Sequence, residues 1–387
     1  MKWEKVRLGD VTDSCLGKML DQEKNKGEYQ PYLANLNVRW GAFDLDNLSQ
    51  MRFEDDEQDR YGLRYGDLVV CEGGEPGRCA IWKDQLPGMK IQKALHRVRV
   101  HKCLDYRYLY YWFLLAGKRG ILEQYFTGAT IKHLPGQKLK SVVIDMPPIE
   151  TQRRIADILS AYDDMIENNR KQIKLLDEAA QRLYKEWFVD LRFPGHVHTK
   201  ITDGVPEGWK RRKLVDIAQV QYGYAFDGSL FNSQKIGTPI IRIRNIPQGQ
   251  TEDYTPENVD SQYLVYNGDI IVGMDGEFHI NTWAGDTAYL VQRTCRIKAL
   301  TSDLNGFLLW AIYEPIKYFE KTVVGATVAH LGKKHIDTVE ILVPTEKFYL
   351  PFKSLFEARL LLMNQNRALA EARDRLLPKL MSGEVEV

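Results

Sequence analysis

Asparagine and arginine side chains follow an apolar run at two places in the chain. The residues are Asn35, Asn37 and Arg39 at the first place and Arg242, Arg244 and Asn245 at the second. Such side chains can pair bidentately with base edges, asparagine with adenine and arginine with guanine. Both groups are therefore candidates for reading a nucleotide sequence. The alternative is that they are solvated residues of loops and strand ends.

Basic side chains occur near a second pair of similar segments, Gly-Ala-Thr-Ile-Lys-His-Leu from Gly128 and Gly-Ala-Thr-Val-Ala-His-Leu from Gly325. Lysines beside such turns would suit contacts with phosphates, which position a protein on a nucleic acid without specifying sequence. The candidates near these segments are Thr130, Lys132, Lys333 and Lys334. Further polar candidates in the two halves are Arg78, His279 and Asn281.

Signatures of catalysis are not apparent in the sequence. It contains no Walker-type phosphate loop and no glycine fingerprint of a dinucleotide-binding fold. The run Asp145-Met146-Pro147-Pro148 is similar to the Asp-Pro-Pro-Tyr loop of adenine methyltransferases, but it lacks the aromatic residue that would stack a flipped base. His196 and His198 have no further ligands nearby in the sequence. We therefore expect neither a catalytic residue nor a metal site in this chain.

The candidate residues belong to a sequence that contains two similar copies, each about half as long as the chain. The two Gly-Ala-Thr segments begin 197 residues apart, at Gly128 and Gly325. Trp3, Leu8 and Asp10 similarly return as Trp209, Leu214 and Asp216. This period is far longer than that of a solenoid repeat and indicates two domain-sized copies. Two similar but non-identical domains suggest a reader of two different targets at a fixed separation.

Each copy begins with a mixed part that positions the candidate residues. Short apolar runs bounded by Gly, Asp, Asn and Pro predict strands, for example at residues 67–71 and 240–243. Residues 106–115 and 304–313 predict helices, because their apolar residues do not alternate and the runs exceed a typical strand.

Each copy ends in a long predicted helix. Between Ile155 and Trp187 the apolar positions step alternately by four and three, which is a heptad pattern and predicts a helix from Thr151 to Phe188. Leucines recur every seven residues from position 355 to 376, and Pro378 is expected to end or kink this second helix. The two seams predict an antiparallel coiled coil.

One antiparallel register matches the two seams. It pairs Leu159 with Leu376, Ile166 with Leu369, and Ile173 with Leu362. Asn169 then faces Asn366, and these amides can bond each other, whereas a register slipped by a heptad would bury each against leucine. The guanidinium groups of Arg359 and Arg373 are expected to reach outward from beside the seam. The two asparagines would thereby set the distance between the two readers.

Composition restricts the possible partners and the compartment. The formal net charge of +1 is less basic than a stand-alone nucleic-acid binder, so either nucleic acid is not the partner or other subunits share the phosphate contacts. The five cysteines form no C-x-x-C pair, which favours reduced thiols in a cytoplasm. No apolar run is long enough to span a membrane, and the start of the chain lacks a signal-peptide core. We expect a cytoplasmic protein.

The chain resembles the specificity subunit of Type I restriction–modification systems over essentially its whole length. The most specific stretches are Pro-Pro-Ile-Glu-Thr-Gln-Arg-Arg-Ile-Ala-Asp-Ile-Leu at residues 147–159 and Leu-Leu-Pro-Lys-Leu-Met-Ser-Gly-Glu at residues 376–384. Residues 3–11 and 206–217 are similar to the family's domain starts. The second helix departs from the pattern, since it begins Thr-Glu-Lys-Phe at residue 345. Docking of partner subunits is therefore expected to be less symmetrical than the family model suggests.

The resemblance implies an α+β fold with two pseudo-symmetric α/β target-recognition domains, joined by two long helices that form an antiparallel coiled coil. The expected segments are domain 1 (1–148), the first spacer helix (149–190), a linker (191–207), domain 2 (208–345), and the second spacer helix with a tail (346–387). We expect a rotation near 180° to relate the domains, because antiparallel helices link them.

The resemblance also implies a non-catalytic subunit that reads a bipartite site in double-stranded DNA. Its implied partners are two methylation subunits and restriction subunits, which would use S-adenosylmethionine, ATP and Mg2+. Two other functions stay open. One is a self-contained DNA methyltransferase or nuclease, which would itself bind S-adenosylmethionine or cut DNA. The other is a two-headed protein-binding scaffold, which would not bind duplex DNA.

Overall fold

The computed structural model describes residues 3–21, 25–322 and 329–387. The chain forms two compact units, one of Met1–Asp164 with Ala370–Val387 and the other of Met165–Leu369. Each unit contains an α/β domain and a part of both long helices. None of the helices in the described ranges is long and apolar enough to cross a membrane.

The first unit is built on a four-stranded antiparallel sheet. Its strands, in spatial order, are Thr12–Leu16, Leu95–Val100, Leu68–Cys71 and Cys79–Ile81. A three-stranded sheet has the order Ser49–Phe53, Glu28–Leu33 and Lys90–Ile91, with the last pair parallel. Two-stranded sheets pair Glu4–Arg7 with Val143–Met146 and Val38–Arg39 with Ala42–Phe43. Its α-helices outside the long pair are Gln58–Tyr61, Tyr106–Lys118 and Gly136–Ser141.

The second unit repeats the four-stranded sheet and the ribbon that joins the two ends of the domain, and its second sheet has one strand more. Its four-stranded sheet has the order Ala218–Tyr222, Thr294–Ala299, Ile270–Gly273 and Ile280–Thr282. A second sheet has the order Tyr254–Thr255, Thr238–Ile241, Ala288–Leu290 and Leu264–Val265. Two-stranded sheets pair Lys210–Lys213 with Glu340–Val343 and Ile201–Thr202 with Val205–Pro206. The shorter α-helices are Leu214–Ile217, Asn305–Ala311, Tyr313–Thr322 and Lys333–Ile336. The repeated strand order gives the sequence repeat a structural basis.

Burial explains why the predicted strand and helix of the first unit form where they do. All four residues of Leu68–Cys71 are buried, as expected of an apolar run at the centre of a sheet. Helix Tyr106–Lys118 begins at Asp105, whose carboxylate accepts hydrogen bonds from the backbone N–H groups of Arg107 and Tyr108. This satisfies donors that a helix start leaves unpaired. Both predicted elements are confirmed.

Two elements of the second unit differ from the sequence prediction. The strand predicted at residues 240–243 ends at Ile241, because the chain turns into a 3-10 helix, Ile243–Gln248. The helix predicted at 304–313 is divided into Asn305–Ala311 and Tyr313–Thr322. The predicted linker also has structure, since Phe193 is buried and its ring lies 4.7 Å from that of Trp209.

The first long helix, Ile149–Tyr184, continues into a π-helical turn, Lys185–Val189. Gln152, in the most family-specific stretch, is completely buried near its start. Its amide accepts a hydrogen bond from the N–H of Asp105 at 2.9 Å and donates one to the carbonyl oxygen of Pro147 at 2.8 Å. The motif thus connects the helix to the domain that precedes it.

The second long helix, Glu346–Ser382, packs against the first. In the first unit Arg373 pairs with Asp163, and in the second unit the rings of Trp187 and Phe348 lie 5.9 Å apart. Within the second unit, Asp177–Arg359 and Trp187–Phe348 contacts show that the helices run antiparallel there, as predicted.

Of the two outcomes predicted for Pro378, the end of the helix does not occur, because the second helix continues to Ser382. Proline removes one helical hydrogen bond and crowds the preceding turn. The neighbouring Leu377, Leu380 and Met381 are buried in the core of the first unit. We infer that burial of these side chains outweighs the unfavourable proline and keeps the last turn helical.

Candidate nucleic-acid interface

The first two groups of candidate residues lie in or directly beside equivalent 3-10 turns. The turn at Asn35–Asn37 follows strand Glu28–Leu33, and the turn at Ile243–Gln248 follows strand Thr238–Ile241. Each of these strands pairs in parallel with a later strand of its own unit. The structure therefore places the two groups at matching points of the repeated topology.

Asn37 and Asn245 stabilise these turns from within. The Asn37 Oδ1 accepts a hydrogen bond from the N–H of Ala34 at 2.9 Å, and the Asn245 Oδ1 accepts one from the N–H of Arg242 at 2.8 Å. Asn37 is only 4% exposed and donates to the Asp44 carbonyl. Burial removes Asn37 from the base-reading candidates, because its amide cannot face a groove. Asn245 is half-buried, and its Nδ2 donates to Asp253.

Asn281, a further DNA-binding candidate, is engaged within the second unit. It is 6% exposed, and its Nδ2 donates to the carbonyl oxygens of Ile246 and Pro247. Its Oδ1 accepts a hydrogen bond from Arg359 of the second long helix at 2.7 Å. Asparagine suits this position because one amide can satisfy several buried donors and acceptors.

Arg78 and Arg39 are bound to the first turn in different ways. Arg78 is largely buried and donates to the carbonyl oxygen of Asn35 at 3.0 Å and to Glu75 at 2.7 Å. Its guanidinium therefore holds the turn against the loop between two strands. Arg39 is exposed over 54% of its side chain and donates to the carbonyl oxygen of Leu36. Asn35 is half-buried, with Nδ2 3.4 Å from the Gly73 carbonyl.

Arg242 and Arg244 present two guanidinium groups beside the second turn. Arg244 is 63% exposed and contacts the Asp253 carboxylate through two nitrogens. Arg242 lies over the ring of Phe231, with 5.4 Å between the guanidinium carbon and the ring centroid. Within the described ranges Arg242 has no carboxylate partner. Of the arginines in this group, Arg242 is therefore the one whose charge is least compensated.

The first Gly-Ala-Thr segment forms an exposed loop. Thr127 and His133 exchange backbone hydrogen bonds at 2.8 and 2.9 Å, and Thr130 and Lys132 are exposed between them. Gly128 has a φ of +93°, and a Cβ there would lie 2.1 Å from the Ile131 carbonyl oxygen. Glycine is therefore required for the loop to close. Residues 325–328 of the second segment lie outside the described residues.

The second-unit basic candidates are surface residues. Lys333 contacts Asp337 at 3.0 Å across one helical turn, and exposed pairs of this kind contribute little stability. Lys334 is exposed beside it. His279 is partly exposed, with Nδ1 3.5 Å from Glu277 Oε1. Exposure permits phosphate contacts by these residues but does not select them.

A polar cluster in the second unit was missed by sequence reasoning. His330 Nδ1 lies 2.6 Å from Asp275 Oδ1, and Arg293 Nη1 lies 3.3 Å from the same oxygen. The only sequence signal was the histidine that follows both Gly-Ala-Thr segments, at positions 133 and 330. Asp275 and Arg293 lie far from it along the chain, so their association depends on the sheet topology.

The helix seam carries its polar groups differently from the prediction. Leu159 and Ile166 are buried, whereas Ile173, Leu362, Leu369 and Leu376 are half-buried. Asn169 is buried and its Nδ2 lies 3.5 Å from Gln365 Oε1, next to the predicted partner Asn366. Asn366 Oδ1 is buried and accepts no hydrogen bond from the residues that the structure describes. The expected bond between the two asparagines is thus replaced by one to Gln365.

The arginines beside the seam point inward, contrary to the prediction. Arg359 is 9% exposed, and its Nε lies 2.7 Å from Asp177 Oδ1. Burial raises the pKa of the Asp177 carboxyl, and the guanidinium of Arg359 opposes that shift. Arg373 is partly buried and pairs with Asp163, which also accepts a hydrogen bond from Tyr111. Asp163 and Asp177 of the first helix explain the difference, because they provide half-buried carboxylate partners for the two arginines.

The model for the Type I restriction modification DNA specificity domain matches residues 1–177 and 206–347. The chain belongs to this family. The two matched ranges cover the two α/β domains, so both copies of the repeat are specificity domains. The chain is a DNA specificity subunit of a Type I restriction–modification complex, and such subunits are non-catalytic.

Curated relatives agree with this assignment. The chain is 28% identical to the MjaIX specificity subunit of Methanocaldococcus jannaschii over 298 residues, covering 72% of this chain and 69% of that protein. It is 24% identical to the MjaVIII specificity subunit of the same organism, covering 100% of this chain and 93% of that protein. The EcoBI specificity subunit of Escherichia coli is 32% identical over 141 residues, covering 36% of this chain and 30% of that protein.

A solved structure has a similar fold. The crystal structure of the Type I restriction–modification S subunit from M. genitalium matches with a TM-score of 0.53 and 17% sequence identity. The match covers 98% of this chain and 96% of that chain. At this identity the similarity concerns the fold of the specificity subunit and not its individual contact residues.

Proposed function

We propose that each α/β domain reads one half of a bipartite site in double-stranded DNA. The observation that carries this proposal is the repeated topology, with an equivalent 3-10 turn after the same strand in both units. The side chains at the two turns differ, because the first has exposed Arg39 and the second has Arg242 and Arg244. Different side chains on the same scaffold favour different half-sites. The halves are expected to lie on the order of one DNA turn apart, by analogy with two-fold readers.

We further propose that the two long helices set the unread spacer and dock two methylation subunits. Exposed apolar side chains on these helices support a docking role, among them Met165, Leu175 and Leu361. Restriction subunits would then join the complex. S-adenosylmethionine, ATP and Mg2+ would be bound by these partners. Because the proposed partner is DNA, we assign the chain to the cytoplasm.

A mobility-shift experiment tests whether the chain binds DNA at all. The full chain is mixed with a random duplex library, with and without a methylation subunit, and the retained sequences are determined. The expected result is enrichment of two short conserved blocks separated by a fixed number of unread positions. Retention of no duplex in either mixture would instead favour a protein-binding scaffold.

A further inference from the structure

Four consecutive basic residues form one strand of the second unit. They are Lys210, Arg211, Arg212 and Lys213, and all four are exposed. Across the described ranges, none of them forms an ion pair with a carboxylate within 4.0 Å. In contrast, other exposed basic side chains such as Arg244 and Lys333 have aspartate partners. On a chain with a net charge of +1, this strand is an uncompensated concentration of positive charge.

The basic strand is held by its neighbour and leaves its own side chains free. It pairs antiparallel with Glu340–Val343, in which Ile341 and Leu342 are buried in the core of the unit. The ribbon contains only these two strands among the described residues, so the outer edge of the basic strand is unpaired. Successive side chains of a strand point to opposite faces, which places two basic groups on each face.

The nearby carboxylates do not neutralise the strand. Glu340 is directly opposite Lys213 in the strand pairing and is exposed, but it makes no ion pair with Lys213 in the described structure. Glu207 and Asp216 flank the strand along the chain and are also exposed. The basic groups therefore keep their capacity to bind an external anion.

Protection of an open sheet edge is the simpler explanation, because charged residues, lysine above all, prevent strands of other molecules from pairing. The equivalent strand of the first unit provides a comparison. Glu4–Arg7 pairs with Val143–Met146 in the same way and has the mixed sequence Glu-Lys-Val-Arg. A strand of mixed charge is thus sufficient to protect the equivalent edge of the first unit. Edge protection alone therefore does not explain why all four residues in the second unit are basic.

We propose that strand Lys210–Lys213 binds the phosphate backbone of duplex DNA without regard to sequence. Two residues on one face of a strand are about 6.8 Å apart. One DNA strand carries a phosphate for about every 3.4 Å of helix axis, so the two basic groups on one face can both reach phosphates. Lysine and arginine both donate charge-assisted hydrogen bonds to phosphate oxygens. The inference rests on the proposed reading of DNA, and it adds a site that holds duplex beside the half-site of the second domain.

The salt dependence of DNA binding tests the proposal. The full chain, assembled with its methylation subunit, is titrated at several salt concentrations with a duplex containing the selected site and with a random-sequence duplex. Replacing Lys210, Arg211, Arg212 and Lys213 together by alanine should reduce the slope of log K against log salt by about 2, because the two basic groups on the face toward the DNA would each lose a phosphate contact that contributes about 0.9. Affinity should fall by the same factor for both duplexes. The matched control is Lys5→Ala with Arg7→Ala in the first unit, which should leave the slope nearly unchanged.

The opposite results are equally clear. An unchanged slope in the fourfold variant would overturn the proposal. If the slope is unchanged and the methylation subunit binds more weakly, the strand would instead bind an acidic surface of that subunit. If the fourfold variant does not fold, two double variants are compared, Lys210→Gln with Arg212→Gln and Arg211→Gln with Lys213→Gln. The proposal is contradicted if the slope is reduced in neither of them. Failure of the proposed function is distinct, since the unchanged protein would then not prefer the selected duplex over the random one.

Discussion

Arg359 of the second long helix donates through Nε to Asp177 of the first, over 2.7 Å, and through Nη2 to Asn281 of a sheet strand, also over 2.7 Å. One buried guanidinium thereby joins both helices to the sheet of the second domain. The same contact occupies the Oδ1 of Asn281, whose Nδ2 donates to the backbone carbonyls of Ile246 and Pro247. DNA recognition and helix packing both use arginine and asparagine, and here Arg359 and Asn281 serve in packing.

Replacing Arg359 by methionine should destabilise the second unit by about 1–3 kcal/mol, because the half-buried Asp177 and the buried Asn281 would both lose their donor. Replacing Asp177 by leucine in the same chain should recover much of this loss. The free energy of unfolding in urea gives both values. Arg64→Met is the control, since it breaks an exposed pair with Asp59 and should cost less than about 1 kcal/mol. Equal losses for the two arginines would contradict the buried-pair interpretation.

Asn366→Leu should stabilise the helix pair by about 1 kcal/mol, because it removes a buried oxygen that lacks a hydrogen bond. Asn169→Leu should not stabilise it, because Gln365 would lose its partner. Thermal unfolding of the two variants distinguishes these effects. A loss of stability in Asn366→Leu would show that this amide has a partner in solution and would restore the original pairing of the two asparagines.

The stability of the first unit should fall as the pH is lowered below the ordinary pKa of histidine. Burial lowers the pKa of His96, which is 1% exposed and donates from Nε2 to the Leu134 carbonyl. The unfolded chain therefore binds a proton more readily, so stability is complete above about pH 6.5 and declines as the pH falls toward the folded pKa. Urea unfolding at about pH 7.5 and about pH 5.5 should show this decline.

His96→Gln should reduce that pH dependence, because glutamine can donate the same hydrogen bond but does not titrate. The second domain provides an internal comparison. Its equivalent position is Cys295, which pairs with corresponding strand neighbours, and burial raises the pKa of that thiol to about 12. Identical pH profiles for the His96→Gln variant and the unchanged protein would exclude His96 as the cause.

Arg242→Ala should cost about 1–3 kcal/mol of binding to the selected DNA and relax one position of a half-site. Asn245→Ala should instead lower stability by about 1 kcal/mol, because it removes the side-chain acceptor at the start of the turn. Lys132→Ala should weaken all duplexes alike. Binding to a library of single-position variants measures these patterns. Relaxation at no position for Arg242→Ala would remove it from the base-reading residues.

Lengthening both long helices by one heptad should lengthen the unread spacer. Seven residues inserted after Ile173 and seven inserted before Leu362 preserve the seam and add about 10.5 Å of helix. That length corresponds to about three base pairs of DNA. Sequencing of bound duplexes gives the spacer directly. An unchanged spacer would show that the helices do not set it, and insertion into one helix alone should disrupt the seam.

The apolar pattern predicted more of this protein than its polar residues did. Heptad spacing located both long helices and their antiparallel pairing, because burial of one face dominates helix packing. Continuation of the second helix past Pro378 could not be predicted, because sequence does not show how much apolar surface that turn buries. Burial of Asn37 and Asn281 could not be predicted, because asparagine serves equally well at a base edge, in a turn or beside a buried arginine. Which of these applies depends on neighbours that are distant in the chain.

Exchange of the second domain tests the central claim most directly. Residues 208–345 are replaced by the equivalent segment of another specificity subunit, and the adenines methylated by the reconstituted complex are mapped. Two modular readers predict that one half of the bipartite site changes while the other half and the spacer stay the same. A change in both halves, or in neither, would contradict the assignment of one half-site to each domain.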